Sequence, residues 1–127
     1  MAGCSDLARR WIEAYGDYRD DDLIKLANSE IVLRPRWGQG ARKYRGLDGV
    51  RRWLAEVGTS RPDLSLVAVE TLEDGRAIAE TLIDGVEVIA LFEARDDKIF
   101  AVSVYLSDRD MLERLGVIPE PSRHAPR

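Results

Sequence analysis

Residues 76–94 read RAIAETLIDGVEVIALFEA, and this stretch decides the fold. Asp84-Gly85 stands between two runs rich in strand formers, Arg76–Ile83 and Val86–Ala94. An Asp-Gly pair accepts the left-handed backbone that a two-residue hairpin turn requires, so it is among the strongest local hairpin signals. The turn pairs Ile83 with Val86, Thr81 with Val88 and Ala79 with Ala90, all on one face. The other face carries Ile78, Leu82, Ile89 and Leu91 beside Glu80 and Glu87. Both faces are apolar, so both need covering. A second copy of the chain is the economical cover for the second face.

On either side of this hairpin the same period continues. Leu64–Glu73 and Ile99–Leu106 read as strands, joined through Asp74-Gly75 and Arg95-Asp96-Asp97-Lys98, which completes an antiparallel meander. Upstream the period changes to that of helices. Ser5 is a candidate N-cap, Leu7, Ala8, Trp11, Ile12 and Tyr15 recur at helical spacing, and Gly16 ends the run. Asp20-Asp21-Asp22 precedes a shorter helix. It lacks the alternation, glycine and distal glutamate of a calcium loop, so helix capping explains it better. Glu30–Arg34 is a short strand ended by Pro35, Gly38, Gly40 and Gly46 mark a loop containing Tyr44, and Leu47–Val57 is a third helix closed by Gly58. Ser107 caps a last turn, Asp108–Leu115, ended by Gly116. Helices first and strands afterwards make an α+β pattern. The expected division is a flexible N-terminus over 1–4, one domain over 5–116 and an irregular tail over 117–127.

With 127 residues, 45% hydrophobic and 33% charged, the chain fits one globular domain. No apolar run approaches the ~20 residues that span a membrane, and no secretory core follows Met1, so the expectation is a cytoplasmic protein with no membrane partner. Cys4 is the lone cysteine and His124 the lone histidine. Together they make neither an internal disulfide nor a structural zinc site, and neither metal nor cofactor is expected. The net charge of −4 argues against nucleic acid. It is unevenly spread: residues 34–52 hold seven basic residues and one acid, +6, and the rest hold 12 basic and 22 acidic, −10.

Arg34-Pro35-Arg36-Trp37 opens that basic segment. An arginine at the end of an apolar strand is either paired, solvated at a cavity mouth, or waiting for an anionic partner. Glu13, Glu80 and Asp108 are the candidate structural partners.

Ala8-Arg9-Arg10-Trp11-Ile12-Glu13-Ala14-Tyr15, Val32-Leu33-Arg34-Pro35, Tyr44-Arg45-Gly46-Leu47-Asp48-Gly49-Val50 and Asp97-Lys98-Ile99 through Tyr105-Leu106-Ser107 follow in an order that resembles the SnoaL-like proteins of the NTF2-like superfamily. The resemblance spans about residues 5–116. It implies a cystatin-like α+β cone, with N-terminal helices packed on a strongly curved antiparallel β-sheet around a deep apolar pocket. It also implies a homodimer through the convex sheet face. The catalytic sets of the superfamily are not retained. Where ketosteroid isomerase keeps a tyrosine, a base and an oxyanion-binding aspartate, this chain has Trp11, Arg34 and Ala90. Where limonene epoxide hydrolase keeps an arginine and two aspartates, it has Thr81, Ile83 and Val104. For the acid of the polyketide cyclases the nearest candidates are Glu80, Glu87 and Asp108.

The resemblance and the strand phase together give Trp11, Tyr15, Arg34, Trp37, Tyr44, Thr81, Val88, Ala90, Val104 and Leu106 as candidate ligand-binding residues. The first functional reading is a small, mostly apolar ligand with an anionic or carbonyl end, anchored by Arg34 and gripped by Trp11, Trp37 and Tyr44. The second is an isomerase, cyclase or hydrolase in which Arg34 stabilises negative charge. The third is a protein-interaction module with a filled interior.

Overall fold

The computed structural model describes residues 3–35, 43–58, 61–105, 109–114 and 116–119. Two helices lead, α1 (Cys4–Gly16) and α2 (Asp20–Lys25), followed by strand β1 (Ala27–Pro35), the two-residue β2 (Tyr44–Arg45) and α3 (Gly46–Val57). The meander is β3 (Leu64–Thr71), β4 (Ala77–Ile83), β5 (Val86–Arg95) and β6 (Lys98–Tyr105), and α4 (Arg109–Arg114) is the last described element.

Turn chemistry fixes the meander. Asp84 and Gly85 both take positive φ (51° and 82°), and Ile83 pairs with Val86, Thr81 with Val88 and Ala79 with Ala90. Asp96 and Asp97 likewise both sit at positive φ between Arg95 and Lys98. Aspartate tolerates this region better than most residues, which is why two Asp-containing turns can register three long strands.

The sheet has six strands in the order β2-β1-β6-β5-β4-β3. β1 runs parallel to β6, with Leu33 beside Val102 and Arg34 beside Ser103, and every other neighbour is antiparallel. This corrects the expectation of a strongly curved antiparallel sheet forming a cone. The sheet is mixed, and it is open, with β2 and β3 as its two unjoined edges. The physical reason is the connection. No hairpin links β1 to β6; the chain passes through α3 and four strands between them, and a long crossover permits the parallel direction.

On one face α1 lays Leu7, Ala8, Trp11, Ile12 and Ala14 against the sheet, and α3 adds Val50 and Leu54. Gly49 lets α3 approach β2 closely: a Cβ there would lie 3.0 Å from the Tyr44 carbonyl carbon. Ser5 lies inside α1 rather than capping it, with Gly3 at the cap position, and its hydroxyl hydrogen-bonds the Thr71 hydroxyl. The aspartates of α2 make no side-chain cap either; they sit in its first turn, where the helix dipole favours them.

The second face carries Ile78, Ile89 and Leu91, buried beneath Leu112 of α4 and Ile118. Much of the cover expected from a second copy is therefore supplied by the chain itself. Among the described residues no helix is long and apolar enough to cross a membrane.

Candidate functional site

Between the helices and the first sheet face lies a cavity of about 200 Å³. Its floor comes from alternate residues of five strands: Leu33 and Pro35 of β1, Leu64 of β3, Thr81 and Ile83 of β4, Val88, Ala90 and Phe92 of β5, and Val102 and Val104 of β6. Small Ala90 at the centre leaves the space. Trp11, Ile12 and Tyr15 from α1 and Trp53 and Val57 from α3 form the roof, with Pro62 at the margin.

Three rings are layered in that roof. Tyr15 stacks on Trp53 (centroids 5.2 Å, 9°), Trp53 stacks on Trp11 (6.2 Å, 11°), and Trp11 meets Phe92 edge-on (6.5 Å, 73°). Such arrangements add a modest attraction to the burial of the rings. They also make a rigid wall, since each ring limits its neighbour.

The polar groups of the cavity are few. Thr81 Oγ1 donates to the Val88 carbonyl (2.9 Å), so its proton is committed. Trp11 is 4% exposed, and its indole N–H has no partner among the described residues. The Tyr15 hydroxyl is likewise without a hydrogen bond among the described residues, and burial raises it above the ordinary tyrosine range, partly opposed by the nearby Arg61 guanidinium. No carboxylate, imidazole or amine is among the described residues of the lining.

Arg61 braces the mouth. Its side chain in the ion pair is 3% exposed. Nη1 donates to the Tyr15 carbonyl (2.6 Å), Nη2 to Asp20 Oδ1 (2.6 Å) and Nε to the Gly58 carbonyl (3.3 Å), and the guanidinium lies over the Tyr15 and Tyr18 rings. One side chain thus joins the end of α1, the start of α2 and the end of α3. Nothing in the local sequence Ser60-Arg61-Pro62-Asp63 marks it for this role, because its partners are up to 46 positions away.

The candidate residues divide between places. Trp11, Tyr15, Thr81, Val88, Ala90 and Val104 line this cavity. Tyr44 is buried but does not line it, and its hydroxyl donates to Glu56. Trp37 and Leu106 lie outside the described residues, as does Asp108. Arg34 is on the opposite face of the sheet, in a second cavity with Ser103 and Glu93. The cause is strand phase: Ile31 and Leu33 are the buried inward residues of β1, so Val32 and Arg34 point the other way. Arg34 is therefore not placed to anchor a ligand in the apolar cavity, and it pairs with neither Glu13 nor Glu80. Leu33 and Phe92 are lining residues that the sequence reading omitted; the alternation of Ile31 and Leu33 against Glu30 and Arg34 was the available signal.

No family model and no curated protein matches the chain. Solved structures do. One from Pseudomonas putida KT2440, provisionally described as a polyketide cyclase, is 16% identical with a TM-score of 0.66, over 89% of this chain and 98% of that one. An NTF-2 like protein of unknown function from Burkholderia xenovorans LB400 is 13% identical with a TM-score of 0.64, over 80% of each chain. A Bacillus subtilis protein provisionally described as an isomerase is 16% identical with a TM-score of 0.66, over 89% and 92%. The chain thus shares the fold of NTF-2 like proteins, and identities this low carry the likeness no further than the fold.

Proposed function

We propose that this chain binds a small, mostly apolar, one-ring molecule carrying an acceptor oxygen, with that oxygen on the Trp11 indole N–H. The observation that carries this is the Trp11 indole: it is buried, it lines a mostly apolar cavity, and its N–H has no partner among the described residues. A buried unsatisfied donor costs about 1–3 kcal/mol, which a carbonyl oxygen recovers. Size points the same way. An engineered apolar cavity of about 150 Å³ takes benzene, so about 200 Å³ suits one ring with a short substituent. Arg34's placement removes the support for an anionic end and leaves the carbonyl end.

Binding is preferred to catalysis because the described lining offers no acid or base to move a proton at neutral pH. The descent we favour is SnoaL-like, supported by the order of sequence segments and by the fold shared with a protein provisionally described as a polyketide cyclase. We retain a homodimer as a proposal with narrower support, the exposed Val67 and Leu82 near the β3–β4 edge. Sedimentation of a single monomeric species at high protein concentration removes it.

Calorimetric titration with acetophenone and with ethylbenzene tests the ligand reading. Acetophenone binds more tightly to the native chain, by roughly tenfold, and Trp11→Phe removes that preference while retaining ethylbenzene. Equal affinity of the native chain for both compounds contradicts it.

A further inference from the structure

The second sheet face holds a cavity of about 190 Å³ that the proposed function does not use. Its floor is the middle of β6, where Ala101 and Ser103 are small enough to leave a depression between longer neighbours. Arg34 rises on one flank, from β1 beside Ser103, and Glu93 on the other, from β5 opposite Ala101. The two strands are separated by β6, so their backbones lie about 10 Å apart at ~4.8 Å per strand. Neither Arg34 nor Glu93 makes an ion pair or hydrogen bond among the described residues. Ser103 is 7% exposed, and its hydroxyl is also unpartnered there. Arg76, at the Glu93 end, attracts that carboxylate without forming an ion pair with it, because its donors are engaged elsewhere: it holds Asp74 (2.8 and 2.5 Å) and donates to the Val117 carbonyl (3.2 Å).

A half-buried guanidinium and a half-buried carboxylate face one depression, neither in an ion pair or hydrogen bond among the described residues, and each is costly to bury without one. A simple anion relieves Arg34 and is repelled by Glu93; a simple cation does the reverse. A molecule bearing both charges satisfies both flanks. We propose that this cavity is a site for a small zwitterion of the α-amino acid class. The ligand carboxylate lies on Arg34 in bidentate geometry and accepts from Ser103, and its ammonium lies on Glu93. The volume equals about six liquid waters at ~30 Å³ each, which suits alanine, and Leu91 and Val117 offer apolar contact to a short side chain.

The test is an NMR titration of the full chain with L-alanine, and separately with acetate and with methylammonium. L-alanine is expected to shift the amides of Leu91, Glu93, Ala101 and Ser103 saturably, and each single-charge probe to bind at least tenfold more weakly. Arg34→Met and Glu93→Gln each weaken L-alanine tenfold or more, and Ser103→Ala several-fold. The proposal is overturned by no saturable shift at those amides, by acetate matching L-alanine, by shifts confined to Leu33, Ala90 and Val102 of the apolar cavity, or by variants that bind as the native chain does. If Arg34→Met fails to fold, Glu93→Gln, a near-isosteric change, decides alone.

Discussion

Replacing Arg61 with methionine separates a brace from a bystander. Methionine keeps much of the apolar stem and removes every donor. The carbonyl of Tyr15, in the last turn of α1, loses a 2.6 Å charge-assisted bond, worth about 2 kcal/mol. The Asp20 pair contributes under about 1 kcal/mol, because the Asp20 side chain is 42% exposed and regains water. The contacts over Tyr15 and Tyr18 add about 0.5 kcal/mol each at a partly exposed site. The expected loss is about 3 kcal/mol. At about 4 °C per kcal/mol for a domain of this size, the thermal midpoint falls by about 12 °C in circular dichroism. Asp20→Asn, which spares the Tyr15 bond, costs less than a third as much. The cavity mouth loosens too, because Val57 and Pro62 flank the brace, so acetophenone binds several-fold more weakly to Arg61→Met. A midpoint drop below about 4 °C would refute the reasoning.

Gly49→Ala gains about 1 kcal/mol of helix propensity yet is net destabilising, by about 1–2 kcal/mol, since its Cβ meets the Tyr44 backbone at 3.0 Å; urea unfolding measures the sign. Leu112→Ala uncovers Ile78, Ile89 and Leu91 and costs about 2–4 kcal/mol, whereas no measurable loss in the same assay shows that α4 is not their cover. On the alkaline side, Tyr15 holds its proton more tightly folded than unfolded, so its contribution is complete below the ordinary tyrosine value of 10.0 and declines as pH rises above it. Tyr15→Phe flattens that limb of the stability–pH curve. On the acid side, Arg76 holds the Asp74 carboxyl below the ordinary range, so a small stabilisation is lost as pH falls through and below that range, and Arg76→Met abolishes this dependence.

What the sequence makes legible is local. Asp84-Gly85 dictates a register because the turn tolerates only one pairing, and every residue of β4 and β5 follows from it. The direction and neighbour of β1 do not follow from anything local. Ala27 lies beside Ile99, and no turn links them. The phase of β1 was readable from Ile31 and Leu33, but assigning Arg34 to the pocket by resemblance reversed it, and in a strand that error sends the side chain through the sheet. The cover of the second face was also hidden, because Leu112 and Ile118 are unremarkable apolar residues in a short, proline-containing segment. Arg61 was hidden for the opposite reason: its partners converge only after α1, α2 and α3 are in place.

The central claim is that the ligand occupies the apolar cavity on the helix-covered face, not the arginine on the other side. Calorimetric titration of acetophenone into the native chain, Ala90→Leu and Arg34→Met tests it most directly. Leucine at position 90 fills the middle of the cavity floor, so affinity is predicted to fall at least tenfold, while Arg34→Met binds as the native chain does. Loss of binding in Arg34→Met with retention in Ala90→Leu would contradict it.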